Sequence, residues 1–300
     1  RLAAAAAAAG WVTVIAGGPG TGKTTTVARL VALLIDVSDT PLRVALAAPT
    51  GKAAARLQES FAAECARLAD NGITTPGPLP ASTLHRLLGS RPGSRSRFRH
   101  DRANRLPYDV VVVDEMSMVS LTLMSRLLEA VRPEARLVLV GDPDQLASVD
   151  AGAVLGDLVG RPAREVADRR ESVLLATLPG DAAAAPQVRS ELRTDVVRLR
   201  VPHRYGGAIG DLAEAIRIGS PDDVVAVLRR GEPDVRLVET TITERGLGPT
   251  LDVLRRDVVE AGRELYDAAI DGDADGALRA LGRHRLLCGH RRGPYGVTRW

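Results

Sequence analysis

The stretch Gly17-Gly-Pro-Gly-Thr-Gly-Lys-Thr24 decides the fold, because it matches the pattern G-x-x-x-x-G-K-S/T. The apolar run Trp11–Ala16 before it predicts a strand, and the residues from about Gly22 to Ile35 predict a helix. Glycines let backbone N–H groups surround a phosphate, and a helix N-terminus adds partial positive charge. We therefore expect a phosphate-binding loop; the alternative is a glycine-rich turn that matches by chance.

Two side chains of this loop carry the expected chemistry. Lys23 would reach the β- and γ-phosphates of a nucleotide, and the Thr24 hydroxyl would bind Mg²⁺. Lys23 and Lys52 are the only lysines among 40 lysines and arginines, and a compact ammonium is not interchangeable with a planar guanidinium. The expected nucleotide contacts are Gly18, Pro19, Gly20, Thr21, Gly22, Lys23, Thr24 and Thr25.

Strand and helix patterns alternate through the first half of the chain. Further strands are predicted at Leu42–Ala47, Asp109–Val113 and Arg136–Val140, and helices at Lys52–Leu68 and Met118–Val131. This alternation predicts an α/β fold, a parallel sheet with helices on both faces. Such sheets bind ligands at the carboxyl ends of their strands, which is where the candidate motifs lie.

Two polar motifs follow predicted strands. Asp114 and Glu115 follow an apolar β-branched run, so Asp114 could hold Mg²⁺, directly or through water, and Glu115 could act as general base on the attacking water. Gln145, in GDPDQ, could sense a γ-phosphate. The alternatives are an acidic pair that caps a helix and a proline-containing turn with its glutamine in solvent.

The composition narrows the class of protein. Hydrophobic residues make up 45% of the 300 residues and aromatic residues only 3%, so the core must consist of Ala, Val and Leu. The two cysteines, Cys65 and Cys288, form no metal-binding spacing or disulfide framework, which makes a reducing cytoplasm the expected location. The alanine run near the N-terminus is too short for a membrane span. A net charge of +3 permits a polyanionic partner.

Six motifs in order carry a family resemblance: GGPGTGKTTT, APTGKAAARLQES, STLHRLLG, VVVVDEMSMVS, LVGDPDQLASVDAGAVLGDL and PHRYGGAIGDLAEAIRIG. Together they resemble the RecD family of superfamily 1B DNA helicases, which includes the alpha subunit of exodeoxyribonuclease V. The resemblance covers about residues 10–160 and 195–300. It implies a RecA-like P-loop NTPase domain followed by part of a second RecA-like domain.

The resemblance implies roles for individual residues. Lys23 and Thr24 resemble helicase motif I, Asp114 and Glu115 motif II, and Gln145 motif III. Arg204 resembles the motif IV arginine that reaches the nucleotide from the second domain, where an arginine finger stabilises charge in the transition state. The alternative is one arginine of many on a solvated turn.

Further motifs resemble the elements that face single-stranded DNA in this family. Backbone amides, hydroxyls and a cation at strand ends suit phosphate contacts. Lys52 could instead be an exposed first-turn residue, and His85 a packed or capping histidine. The implied DNA contacts are Pro49, Thr50, Gly51, Lys52, Ser82, Thr83 and His85.

The predicted organisation has three parts: a first domain at 1–160, a flexible insertion or linker at 161–194, and an incomplete second domain at 195–300. In the second domain, strands are predicted at Val196–Leu199, Val235–Val238 and Arg285–Cys288. The arginine-rich segment 89–105 falls where related helicases carry a small inserted subdomain, 1B, but it also has the composition of a disordered basic loop. Arg1 begins the chain without a methionine, and the RecD motifs V and VI are not present, so we expect a fragment that binds nucleotide. Unwinding would need the missing motifs.

The function that the resemblance implies is an ATP-dependent 5′→3′ DNA helicase in double-strand-break repair and recombination. Its cofactors would be ATP and Mg²⁺, and its partners single-stranded DNA and RecB-like and RecC-like subunits. One alternative is a nucleotide-binding scaffold without motor activity, although Glu115 and Gln145 favour hydrolysis. Another is a RecD-like helicase that acts alone.

Overall fold

The computed structural model describes residues 10–90, 97–145, 154–160, 195–239, 251–293 and 296–298. The chain divides into two compact units, Arg1–Gly210 and Asp211–Trp300. The predicted linker at 161–194 lies outside the described residues. None of the described helices combines the length and apolar character needed to cross a lipid bilayer.

The first unit alternates strands and helices, as the sequence predicts. A 3₁₀ turn, Met116–Met118, follows the fourth strand. In chain order the elements are β1 (Val12–Gly17), α1 (Lys23–Asp36), β2 (Val44–Ala48), α2 (Gly51–Asp70), β3 (Ala81–Thr83), α3 (Leu84–Leu88), β4 (Val110–Val113), α4 (Leu121–Ala130), β5 (Arg136–Gly141), α5 (Val154–Val159) and β6 (Val196–Leu199).

The six strands form one parallel sheet in the order β3-β2-β4-β5-β1-β6. Strand β5 lies between β1 and β4, so the loops that follow β1 and β4 meet on either side of its end. The predicted α/β fold with a parallel sheet is confirmed. Its carboxyl edge carries the predicted motifs after β1, β2, β4 and β5.

The sheet is buried on both faces, which explains the uninterrupted apolar run of β4. Val110 and Val112 pack with residues of α1 and α2, whereas Val111 and Val113 pack with residues of α3, α4 and α5. Side chains alternate between the two faces of a strand, so a strand covered by helices on both sides must be apolar at every position. All four valines are 1% exposed or less.

Side-chain caps set the starts of three helices of this unit. Thr50 accepts a hydrogen bond from the Ala53 N–H, Thr83 from the Arg86 N–H and Ser120 from the Leu123 N–H. Such a cap satisfies a backbone donor that the helix itself leaves free, and typically contributes about 1 kcal/mol. The cap at Ser120 explains why α4 begins later than the predicted helix at Met118.

From residue 207 onward the described elements are helices, and each forms without a neighbouring strand. Ion pairs join them: Arg230 contacts Asp211 at 2.6 Å, and Arg283 contacts Glu264 at 2.7 Å. The four helices are α6 (Gly207–Ile218), α7 (Pro221–Arg229), α8 (Asp252–Ile270) and α9 (Ala274–Arg283).

The structure differs from the sequence predictions after residue 195. Val235–Val238 and Arg285–Cys288 are not strands; within the described residues neither has a neighbouring strand to hydrogen-bond with. Strand β6 was predicted within a second domain, yet it pairs with β1 and extends the first sheet. Its buried Val196 and Val197 cover an edge of that sheet. A RecA-like second domain in the remaining residues stays a prediction.

Candidate functional site

The loop between β1 and α1 has the conformation that a phosphate cradle needs. Gly20 and Gly22 adopt left-handed backbone angles, with φ of 73° and 82°. Gly22 directly precedes α1 at its N-cap position, and no side chain caps this helix. The first-turn N–H groups of α1 therefore remain available to an anion, and the positive end of the helix faces the loop.

Lys23 lies across this loop. Its Nζ donates hydrogen bonds to the carbonyl oxygens of Gly17 at 2.7 Å and Gly18 at 2.9 Å. The Thr21 hydroxyl donates to the Gly18 oxygen at 2.8 Å and closes the loop further. The ammonium is thus held at the centre of the cradle, where the oxygens of a polyphosphate could replace the carbonyl oxygens as its acceptors.

Asp114 and Glu115 lie at the end of β4, across β5 from the phosphate loop. The Asp114 carboxylate accepts the Glu115 N–H at 2.8 Å. Burial raises the pKa of Asp114 above its usual range and the Glu115 carboxylate raises it further, whereas the hydrogen bond from Glu115 and the charge of Lys23 oppose the shift. A bound cation would favour the ionised form, so this carboxylate suits a metal ion.

The oxygen atoms near the loop fit Mg²⁺. This cation prefers hard oxygen ligands from one or two side chains together with phosphate oxygens and water. Thr24 offers a hydroxyl in the first turn of α1, and Asp114 offers a half-buried carboxylate. The described residues contain no cluster of three or more His, Cys, Asp or Glu side chains that would form a protein-only metal site. A Mg²⁺ ion held by Thr24 and Asp114 would take its remaining ligands from phosphate oxygens and water.

Glu115 has a strained backbone. Its φ of 54° lies in the left-handed region, which is uncommon for residues other than glycine. The Asp114 carboxylate holds the Glu115 N–H, and the Glu115 carbonyl accepts the Met118 N–H at 3.1 Å. Strain of this kind persists only where the surroundings enforce it, and it concentrates at functional sites.

Gln145 follows β5 in a tight turn built by Asp142. The Asp142 carboxylate accepts the Asp144 N–H at 3.0 Å, and the Asp142 carbonyl accepts the Gln145 N–H at 3.3 Å. Asp142 is 3% exposed, whereas Gln145 is exposed. The buried aspartate fixes the turn, and the glutamine side chain is exposed beside it. Sequence reasoning missed Asp142, although an acid directly after a buried strand was a usable signal.

Arg204 lies beside the phosphate loop. The neighbouring His203 N–H donates to the Gly20 carbonyl at 2.8 Å. A methyl group added at Gly20 would come within 2.7 Å of Arg204 Cβ and 3.4 Å of the Tyr205 ring. Arg204 was predicted to reach the nucleotide from a second domain, but the structure has it in the first unit, directly after β6. The His203 contact was not predicted, because no local pattern reveals it.

Gly20→Ala tests this close packing. We expect the substitution to lower the free energy of unfolding by about 1–2 kcal/mol, because alanine disfavours the left-handed backbone and its methyl group collides with Arg204. Urea unfolding would measure the loss. Gly18→Ala is the matched control, since its added methyl group meets nothing within 4 Å. Equal stability of the two variants would contradict the packing of Arg204 on the loop.

The predicted DNA-facing residues gather at one corner of the sheet. Strands β2 and β3 pair in register, with Ala48 opposite Thr83, so the segments Pro49–Lys52 and Ser82–His85 leave the sheet side by side. Thr50 and Thr83 are helix caps. Lys52 and His85 are exposed. Within the described residues, the Lys52 ammonium makes no hydrogen bond or ion pair, which leaves it available to an anionic ligand.

A family profile described as the AAA domain matches residues 1–151, which include the phosphate loop, the acidic pair and the turn before Gln145. The match covers half of the chain and every residue of the predicted nucleotide site except Arg204. It agrees with the parallel sheet and the loop geometry described above.

Individual relatives are more specific. The chain is 51% identical over 305 residues to the RecBCD enzyme subunit RecD of Mycolicibacterium smegmatis, covering 100% of this chain and 48% of that protein. It is 50% identical over 304 residues to the RecBCD enzyme subunit RecD of Mycobacterium tuberculosis H37Rv, covering 100% of this chain and 47% of that protein. The ATP-dependent RecD2 DNA helicase of Deinococcus radiodurans is 47% identical over 142 residues, which is 47% of this chain and 17% of that protein.

The chain spans about half the length of the two mycobacterial relatives, 48% and 47%. Identity of about one residue in two along the whole chain goes well beyond a shared P-loop. The chain therefore belongs to the AAA-domain family, and along its whole length it is similar to proteins named RecBCD enzyme subunit RecD.

Proposed function

We propose that this chain is the nucleotide-binding part of an ATP-dependent DNA helicase motor. The observation that carries the proposal is the arrangement around β5: a phosphate loop centred on Lys23 on one side and the Asp114–Glu115 pair on the other. Relatives named RecD and ATP-dependent RecD2 DNA helicase support it. The phosphate loop would bind a triphosphate, and the acidic pair would hold the metal ion and the attacking water.

The nucleotide would lie with its phosphates in the loop. The backbone N–H groups of Gly18 and of Gly20–Thr25 would bind phosphate oxygens, whereas Pro19 has no N–H to donate. The Lys23 ammonium would exchange its carbonyl acceptors for the β- and γ-phosphates. Thr24 and Asp114 would hold Mg²⁺, which neutralises charge on the phosphates when bound. Adenine specificity is inferred from the relatives' names rather than from these residues.

Three further residues would act on the γ-phosphate. The Glu115 carboxylate would accept a proton from the attacking water. The restrained backbone of Glu115 would orient this carboxylate. The exposed Gln145 would sense the γ-phosphate from the turn that Asp142 fixes. Arg204 would stabilise the charge that develops during transfer, and the His203–Gly20 hydrogen bond supports its nearness to the loop.

The DNA strand would run along the corner formed by β2 and β3. Lys52 supplies an exposed cation there, and the segments Pro49–Gly51 and Ser82–Thr83 offer backbone amides and hydroxyls. Contacts of this kind grip phosphates without reading sequence. The nucleotide loop and this corner lie along one edge of the same sheet. Loss of the γ-phosphate would therefore shift loops at the same edge that contacts the DNA.

The partners follow from the relatives. Proteins named RecBCD enzyme subunit RecD match the whole chain, so we propose RecB-like and RecC-like subunits as partners in double-strand-break repair, with 5′→3′ travel and a cytoplasmic location. The second candidate is a RecD-like helicase that acts alone. The match to a protein named ATP-dependent RecD2 DNA helicase favours it over a scaffold without motor activity.

Hydrolysis of ATP by the complete protein, with and without oligothymidine, tests the proposal. We expect Mg²⁺-dependent hydrolysis that rises several-fold on addition of the DNA strand, because the DNA corner and the phosphate loop share one sheet edge. Equal hydrolysis with and without DNA would contradict the motor. Nucleotide binding without any hydrolysis would favour the scaffold.

A further inference from the structure

In the arginine-rich segment 89–105, residues 91–96 lie outside the described residues, and the residues that follow them are hydrogen-bonded to the end of α3. Two backbone hydrogen bonds join residues after this gap to the end of the helix, from the Arg99 N–H to the Gly89 carbonyl at 2.8 Å and from the His100 N–H to the Leu88 carbonyl at 2.9 Å. Gly89 has a φ of 76°, and a methyl group added to it would lie 2.8 Å from Arg99 Cβ. Arg99 and His100 are therefore held in one defined position against the end of α3.

The same attachment brings Phe98 against His85. Phe98 forms an antiparallel bridge with Ser90 and is only 7% exposed. Its ring centroid lies 5.9 Å from that of His85, at an interplanar angle of 57°. Both the distance and the tilt fall in the favourable range for aromatic pairs. The buried phenylalanine thus supports the ring of an exposed histidine.

The His85 backbone is held as tightly as its ring. The Ser90 N–H and the Ser90 hydroxyl both donate to the His85 carbonyl at 3.0 Å. Within the described residues, the two imidazole nitrogens of His85 make no hydrogen bond or ion pair. A ring that is fixed from one side, exposed and unpaired is neither a core histidine nor a helix cap, because Thr83 already caps α3.

We propose that Phe98 is a positioning residue that holds the His85 imidazole as a stacking platform for a base of the bound DNA strand. The inference rests on the proposed function, because it needs DNA at the β2–β3 corner. Aromatic rings bind single strands by stacking on bases, and stacking tolerates any sequence. Holding the ring in advance removes part of the entropy cost of binding. The platform lies beside the phosphate contacts expected from Lys52 and Thr83.

Binding of fluorescein-labelled oligothymidine by the complete protein tests the proposal. We expect His85→Ala to weaken binding about ten-fold and His85→Phe to keep most of it, because the ring rather than a hydrogen bond carries the contact. An oligonucleotide with abasic sites should bind the wild-type protein more weakly than oligothymidine, and His85→Ala should remove most of that difference. Loss of binding in His85→Phe equal to that in His85→Ala would overturn stacking.

A double-mutant cycle separates positioning from general stability. Phe98→Leu should weaken oligothymidine binding about three-fold in the wild-type protein, the value expected for a lost aromatic pair. It should have no further effect in the His85→Ala protein, because it acts through that ring. Phe61→Leu is the control: Phe61 is 2% exposed in the core on the other face of the sheet and should leave DNA binding unchanged.

The outcomes are distinct. Weakening by Phe98→Leu that persists in the His85→Ala protein, or that Phe61→Leu reproduces, would overturn the positioning role. If Phe98→Leu loses nucleotide binding, and hence its fold, Phe98→Met takes its place, because it keeps the volume without the ring. DNA binding that His85→Ala leaves unchanged would overturn the platform and leave the proposed function standing. Absence of DNA binding by the wild-type protein would overturn both.

Discussion

Lys23→Ala is expected to lower ATP hydrolysis by the complete protein about a hundred-fold or more, with and without DNA. The Lys23 ammonium sits at the centre of the loop on the Gly17 and Gly18 carbonyls, and no other described cation donates a hydrogen bond there. Removal of one preorganised donor to developing charge commonly costs a factor of this size. Steady-state phosphate release, measured at saturating ATP, would reveal the loss.

Two further variants make this result specific to the ammonium. Lys23→Arg keeps the positive charge but replaces a compact ammonium by a planar fork, so we expect it to lose most of the activity as well. Arg29→Ala removes a cation from the exposed face of the same helix and should leave hydrolysis near the wild-type rate. Normal turnover by Lys23→Ala would contradict the nucleotide site itself.

The first sheet was predictable because its central strands have sequence patterns that are typical of buried strands. Val110–Val113 is a continuous apolar run, and only a strand covered on both faces needs one. The phosphate loop follows a strand and precedes a helix, which is the context that its motif requires. By contrast, β3 has three half-buried residues, Ala81–Thr83, and exists because β2 offers a parallel partner. No local pattern predicts such a strand.

After residue 195, too, strand formation depends on a partner strand that the local sequence does not reveal. Val235–Val238 has the composition of a strand, but composition cannot supply the neighbouring strand that it needs. Val196–Leu199 was correctly predicted as a strand, yet its partner, β1, lies far away along the chain. That pairing carries Arg204 to the phosphate loop. The position of Arg204 therefore depends on long-range sheet order, which the sequence pattern does not reveal.

Glu115→Gln should separate nucleotide binding from hydrolysis. Glutamine keeps the size of the side chain and the backbone N–H that Asp114 holds, but its amide cannot accept a proton from water. We expect single-turnover hydrolysis to fall about a hundred-fold or more, the contribution typical of a general base. Affinity for a non-hydrolysable ATP analogue should stay within about three-fold of wild type, because the substitution leaves the proposed contacts of Lys23 and Thr24 with the nucleotide unchanged.

The strained backbone of Glu115 makes the binding measurement decisive. A residue with a φ of 54° could be needed only to shape the turn after β4, and its substitution would then weaken binding and hydrolysis together. A residue that acts on the water loses hydrolysis alone. Glu59→Gln, on the exposed face of α2, is the matched control for the loss of one carboxylate and should change neither quantity. A parallel fall in binding and hydrolysis for Glu115→Gln would assign Glu115 a structural role instead of that of the base.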